Sequence, residues 1–445
     1  MLRLVPALAG LATVPFLLIG VTPLAAAPSA AERVMQQSVD GDYDRSVALL
    51  EQLVNINSGT HNPAGVKAVA DVLRPEFEAL GFTVEWIDGA PFQRAGHLFA
   101  RHEGKAGSTR MLLIAHLDTV FEPSSPFQRY NREAGSDIAS GPGVVDDKGG
   151  IVVILSALKA MQAAGTLKDA NIVVALTGDE EDAGSPLVAA RASLMDAARW
   201  ADVALDFEGL AQEGGRDMGS VARRGSNSWT VRASGRTGHS SGIFGAAGDG
   251  SVYELARILS RFRAELTEPN ATFNVGLIAG GAELEVAADG LSASVAGKGN
   301  IIPPVSIAKG DLRTLSEDQT DRVIAGMQAI AADHLPGTQA ELTVERRYPA
   351  MPPTERNRAL LAQLNAVNRD LGLEEQAEYD PAKRGAGDIN FIAAEVDGLA
   401  GMGPGGAGSH AEGETIDLPT IRRQALRAAA LMSRLSGETS VKSAR

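Results

Sequence analysis

The chain has 445 residues, 44% of them apolar and 22% charged. That is an ordinary balance for a protein that buries a full core, and at ~150 residues per domain it leaves room for two or three domains. The 41 Lys and Arg stand against 55 Asp and Glu, a net charge of −14, which argues against binding a phosphate backbone. Cysteine is absent, so a disulfide framework, Cys-type zinc sites and a thiol nucleophile are excluded. Any metal must be held by His, Asp and Glu, and there are only seven histidines.

Arg3 precedes a long apolar stretch, residues 4–24, and then Ala25, Ala26 and Ala27. That order reads as a secretory signal peptide over residues 1–27, cleaved within 25–31, and predicts a secreted or periplasmic protein without stable membrane association. Residues 45–56 and 64–80 carry helical apolar spacing, the second ending at Gly81, a usual C-terminal cap. Short apolar runs at 82–87, 97–101, 111–115, 171–176 and 201–205 read as buried strands. Helices at about 149–164 and 186–199 separate the last three, a βαβαβ order that implies a mainly parallel sheet with both faces covered.

Gly-rich sequence at 209–225 breaks that order. Strand 228–234, helix 249–266, strands 272–278, 291–296 and 305–313, helix 316–334 and strand 341–346 follow. This β-α-β-β-α-β content suits a small two-layer domain of the split-βαβ type. Beyond Pro349, Pro352 and Pro353, helices return at 355–371 and 418–435. The expected division is a first domain over 30–212, an inserted one over 213–347, and a return to the first over 348–438.

Chemistry-bearing residues cluster in five stretches, all expected at or just after strand ends. His116 closes the 111–115 strand, with Asp118 two residues on. A ligating imidazole usually gives its second N–H to a carboxylate or carbonyl, and Asp118 is placed for that support. Asp146 and Asp147 precede the 149–164 helix; adjacent carboxylates are costly without a cation, although Asp147 alone would also serve as a helix N-cap. Asp179, Glu180, Glu181 and Asp182 end the 171–176 strand, Asp206 and Glu208 end the next, and His410 with Glu412 and Glu414 follows a glycine-rich loop. In a doubly wound sheet the strand ends line one crevice. Two histidines with several carboxylates and no sulfur suit a pair of zinc ions.

These stretches, in this order over nearly the whole chain, resemble the M20 family of di-zinc exopeptidases, most closely its glutamate carboxypeptidase branch. The resemblance implies a zinc-peptidase α/β domain interrupted by a ferredoxin-like lid that often serves dimerisation, hence a possible homodimer. It implies two zinc ions per subunit, bridged by Asp146, with His116 and Glu208 on one and Glu181 and His410 on the other. Asp206 is the alternative to Glu208. Glu180 matches the general base, Asp118 the acid supporting His116, and the peptide between Asp146 and Asp147 the family's cis bond. His239 matches a lid histidine that reaches a neighbouring active site and stabilises the oxyanion. Asn300 and Arg313 match lid residues that hold the substrate's carbonyl and carboxylate, and Gly385 lies in a substrate-contacting loop. The implied activity is amide hydrolysis releasing a C-terminal amino acid from a peptide or an N-acyl amino acid. Two departures bear on substrate preference: Ser240 to Gly245 after His239, and Arg384-Gly-Ala-Gly in place of a plain glycine run.

Three other readings compete. Gly238-His-Ser-Ser-Gly242 matches the nucleophile elbow of serine hydrolases, but no helix is expected directly behind it. Gly401 to Gly406 matches a dinucleotide loop, again without a following helix. An inactive exported binding protein of this fold would be expected to have lost ligands or base, and here every one is present.

Overall fold

The computed structural model describes residues 27–288 and 290–440; the expected leader lies outside them except for its last residue, Ala27. No helix among the described residues is long and apolar enough to cross a membrane.

A six-stranded sheet forms the main layer. Its first five strands are β1 (Thr83–Asp88), β2 (Gly96–His102), β3 (Arg110–His116), β4 (Asn171–Thr177) and β5 (Val203–Asp206). β3 runs parallel to both β4 and β5, and β2 is antiparallel to β4. β3, β4 and β5 are buried almost throughout, as strands covered on both faces must be, which is why they read as continuous apolar runs. The helix Lys148–Ala163 is buried on nearly every side, between the sheet and the helices Ala30–Gly41, Tyr43–Val54 and Pro419–Ser436. The helix Ala192–Trp200 and the short helix Asp388–Ile392 cover the other face. Helix Pro63–Ala79 ends where Gly81 takes φ +86°, a left-handed position that glycine tolerates.

The lid is an antiparallel sheet backed by two helices. β6 (Ser226–Gly235) lies between β9 (Val305–Arg313) and β10 (Thr338–Tyr348), and β9 also pairs with the short β7 (Thr272–Phe273) and β8 (Leu277–Gly281). Alternate residues of β6, Trp229, Val231 and Ala233, face the helices Ser251–Glu265 and Glu317–Ala332. There Trp229 meets Phe262 edge-on at 5.8 Å. The chain then returns, and β11 (Gly398–Leu399) adds to the main sheet parallel to β5.

Several expectations are corrected. The hairpin formed by Gln212–Glu213 and Arg216–Gly219 turns on Gly214 and Gly215 at positive φ. It pairs with Ala377–Glu378, so residues 212–219 sit with the first region and the lid sheet starts at Ser226. The strand expected over 272–278 is interrupted at 274–276. The strand expected over 291–296 starts at Ala293 and pairs with Glu283–Val286. Helix Ala30–Gly41 is an addition; its capping box, Ser29 with Glu32, was visible in the sequence.

Candidate metal centre

Three of the five stretches emerge from central strands, as expected: His116 closes β3, Glu180 and Glu181 follow β4, and Glu208 follows β5. The other two do not. Asp146 sits in the turn before helix Lys148–Ala163, and His410 in a loop after Gly406–Ala407. That turn is shaped by a buried acid: the Glu414 carboxylate accepts from the N–H groups of Gly143, Val145 and Asp146 at 3.0, 2.8 and 3.0 Å. Gly143 has φ +79°, and a Cβ there would meet Thr119 Cγ2 at 2.8 Å. The Asp146–Asp147 peptide is cis. Asp147 occupies the helix N-cap position but makes no side-chain capping bond; its Oδ2 accepts from His116 N at 3.3 Å instead.

Asp146 lies at the centre of the cluster. Its Oδ1 is 3.0 Å from His116 Nε2, and its Oδ2 is 3.2 Å from His410 Nε2. His410 Nε2 also faces Glu181 Oε2 at 2.9 Å. Ligand atoms of His116, Asp146 and Glu181 all lie within 4.8 Å of one another. Ligands about 2.0–2.1 Å from a tetrahedral zinc stand about 3.3 Å apart, so nitrogen and oxygen donors at these separations fit a metal ion. His116, Asp146, Glu181 and His410 are the residues that could hold it.

The electrostatics agree. Hydrogen bonds to Asp146 and Glu181 push His410 up to about 11. Burial would lower His116, but its bonds to Asp118 and Asp146 outweigh this and raise it well above the ordinary histidine value. Burial tends to raise Asp146, yet the two imidazoles hold it well below the carboxylate range. A cation held by these groups would supply the positive charge that the carboxylates require.

Glu180 is buried, and burial, with Glu208 and Glu181 nearby, raises its pKa well above the usual carboxylate value. Asp118 is buried two residues past the end of β3. His116 Nδ1 is nearer the Asp118 carbonyl, 3.1 Å, than its carboxylate, 3.5 Å. The Asp118 carboxylate chiefly accepts from Glu180 N and Glu181 N, 3.0 and 3.2 Å, and from the Thr60 hydroxyl at 2.6 Å.

A cavity of about 550 Å³ opens on the cluster, lined in part by Asp146, Glu180, Glu208, His410 and Gly385. Glu208 faces it but is turned toward two guanidinium groups, 2.7 Å from Arg223 and 3.5 Å from Arg384. Asp206 lies behind, 3.0 Å from Arg223. The lid candidates do not reach this cavity within the chain. His239 is exposed and bonds Ser241 at 2.9 Å, Asn300 is exposed, and Arg313 pairs with Asp311 at 3.0 Å. The elbow-like Gly238–Gly242 stretch ends in the three-residue turn Ser240–Gly242, and the next α-helix starts only at Ser251. The Gly401–Gly406 loop likewise opens no helix.

Residues 112–434 match the sequence pattern of peptidase family M20/M25/M40. The chain belongs to this family. It is 27% identical over 414 residues to carboxypeptidase G2 of Pseudomonas sp. (strain RS-16), covering 90% of this chain and 92% of that protein. Among solved structures it resembles a tripeptidase of Staphylococcus aureus, with TM-score 0.68 and 19% identity over 89% of this chain and 99% of that one. It also resembles a dinuclear metal binding peptidase from the M20 family of Bacillus subtilis, with TM-score 0.61 and 14% identity over 89% and 99%. The mixed α/β sheet with its inserted lid is thus an M20 peptidase fold, and the chain is an M20 metallopeptidase.

Four residues at this M20 site went unassigned in the sequence. Glu414 was within a motif but had no role. Arg223 and Arg384 lie in glycine-rich stretches that read as loops, and Tyr348, whose hydroxyl donates to the Glu180 carbonyl at 2.5 Å, closes a lid strand. The signal for Arg384 was its intrusion into a glycine run.

Proposed function

We propose that the protein is a di-zinc carboxypeptidase that cleaves an amide to release a C-terminal amino acid from a peptide or an N-acyl amino acid. The observation that carries this is the Asp146 carboxylate, whose two oxygens face different imidazoles at 3.0 and 3.2 Å, as a carboxylate shared between two cations would. In this reading His116, Asp146, Glu181 and His410 would hold the zinc ions, and Glu208 would join them on leaving Arg223 and Arg384. Zinc bound there would polarise the scissile carbonyl and acidify the attacking water.

The chain's own groups do the rest. Glu180, its pKa raised by burial, accepts the proton of the attacking water and returns it to the leaving amine nitrogen. His239, brought from the lid of a second copy, donates to the developing oxyanion. Asn300 donates to the substrate carbonyl, Arg313 pairs with the carboxylate of the released residue through two parallel bonds, and Gly385 borders the substrate. Export through the N-terminal leader belongs to the same proposal. The test is a hydrolysis screen of N-blocked amino acids and dipeptides with zinc-loaded protein. Release of the C-terminal residue is expected, with amides that lack a free carboxylate cut poorly; equal cleavage of carboxyl-blocked substrates would overturn the carboxypeptidase reading.

A further inference from the structure

The lid is an insertion, so two chain segments join it to the rest of the molecule. They are paired to each other: Arg223 N donates to Met351 O at 3.0 Å and Met351 N to Arg223 O at 2.9 Å. Both connections carry a side chain that grips the site. On the outgoing one, Arg223 holds Asp206 and Glu208 and donates to the carbonyls of Gly385 and Ala386 at 2.7 and 2.8 Å. On the returning one, Tyr348 ends β10 and donates its hydroxyl to the Glu180 carbonyl.

The backbone of residues 179–181 is held at four points. Asp118 accepts from Glu180 N and Glu181 N. Arg191 donates to the Asp179 carbonyl at 3.1 Å and pairs with the Asp179 carboxylate at 2.5 Å. Tyr348 supplies the fourth bond, the only one of these that comes from a lid strand. Its ring rests on Phe391 with centroids 4.9 Å apart, and Phe391 in turn faces the Arg191 guanidinium at 5.0 Å. The Glu180 carbonyl and the Glu181 N–H belong to one peptide, which Tyr348 and Asp118 therefore hold from its two ends. Because Asp179 and Glu180 are buried, a carbonyl deprived of that donor is poorly compensated by water.

We propose that Tyr348 is a positioning residue, supplied by the lid's last strand, that holds the general base Glu180 in its working orientation and ties that orientation to the lid. This rests on the reading of Glu180 as base. The test is Tyr348→Phe, which keeps the ring on Phe391 and removes only the donor. In the zinc-loaded enzyme kcat is expected to fall about tenfold with KM within twofold, while zinc content stays at the parental value and the melting temperature drops by no more than a few degrees. Amide exchange in peptides spanning 178–182 is expected to speed up in both metal-free and zinc-loaded protein. A kcat within twofold of the parent with unchanged exchange would overturn the proposal. So would loss of zinc together with a larger drop in melting temperature, because Tyr348 would then be only structural. If the parent protein hydrolyses no amide, the functional reading falls, and unchanged exchange in Tyr348→Phe would separately show that the hydroxyl does not hold the segment.

Discussion

Asp118 and His239 are both site candidates placed near strand ends, yet they are held in opposite ways. Asp118 is fully buried and accepts from Glu180, Glu181 and Thr60. His239 is exposed, and its side chain hydrogen-bonds its neighbour Ser241. The same split separates the whole floor of the site from the lid. His116, Asp146, Glu180 and Glu181 are fixed by the main sheet and by buried acceptors before any substrate arrives. His239, Asn300 and Arg313 do not line the cavity; the proposed function brings His239 to it from the lid of a second copy. Groups fixed by the sheet need no rearrangement before the reaction, whereas lid-borne groups must be brought to it.

Mutations can break this contrast, and the largest effect is expected on the floor. Glu180→Gln should lower kcat by about 10²–10⁴-fold with zinc content unchanged, read from steady-state rates and metal analysis. His239→Ala should lower kcat by about 10²–10³-fold, the cost of one oxyanion donor, again with zinc retained. Mixing it with Glu180→Gln chains sharpens the comparison: partial recovery of activity is expected if the histidine serves a neighbouring copy, and no recovery would confine it to its own chain.

Smaller effects are expected below the floor. Asp118→Asn should weaken zinc affinity by about 10–100-fold, the usual effect of losing a group behind the ligands, as measured by competition with a chelator. Zinc binding should also release protons. His410 is raised to about 11, so it is protonated at neutral pH in the metal-free protein and must lose that proton to ligate. Affinity should therefore rise with pH toward 11; calorimetry in buffers of different ionisation enthalpy would show the release, and a pH-independent affinity would contradict it.

The central sheet was legible because buried parallel strands are continuous apolar runs, and β3, β4 and β5 fall within one or two residues of expectation. The short β11 was not: two residues, Gly398 and Leu399, carry no periodicity, and only pairing with β5 makes them a strand. At the site, His116, Glu180 and Glu181 could be found as polar residues interrupting such runs. Arg223 and Tyr348 could not, because their significance lies in contacts made across about 160 positions of chain, Arg223 to Gly385 and Tyr348 to Glu180. Asp118 was found for one reason and acts mainly for another: its carboxylate organises the 180–181 backbone more closely than it supports His116.

The claim on which the account turns is that Asp146 joins two cation sites. The most direct measurement is the number of zinc ions per chain by mass spectrometry after chelation and reloading, in the parent and in Asp146→Ala. The account expects two in the parent, and in the variant loss of both together with all hydrolysis. A parent that holds one zinc or none, or a variant that still holds two, would contradict it.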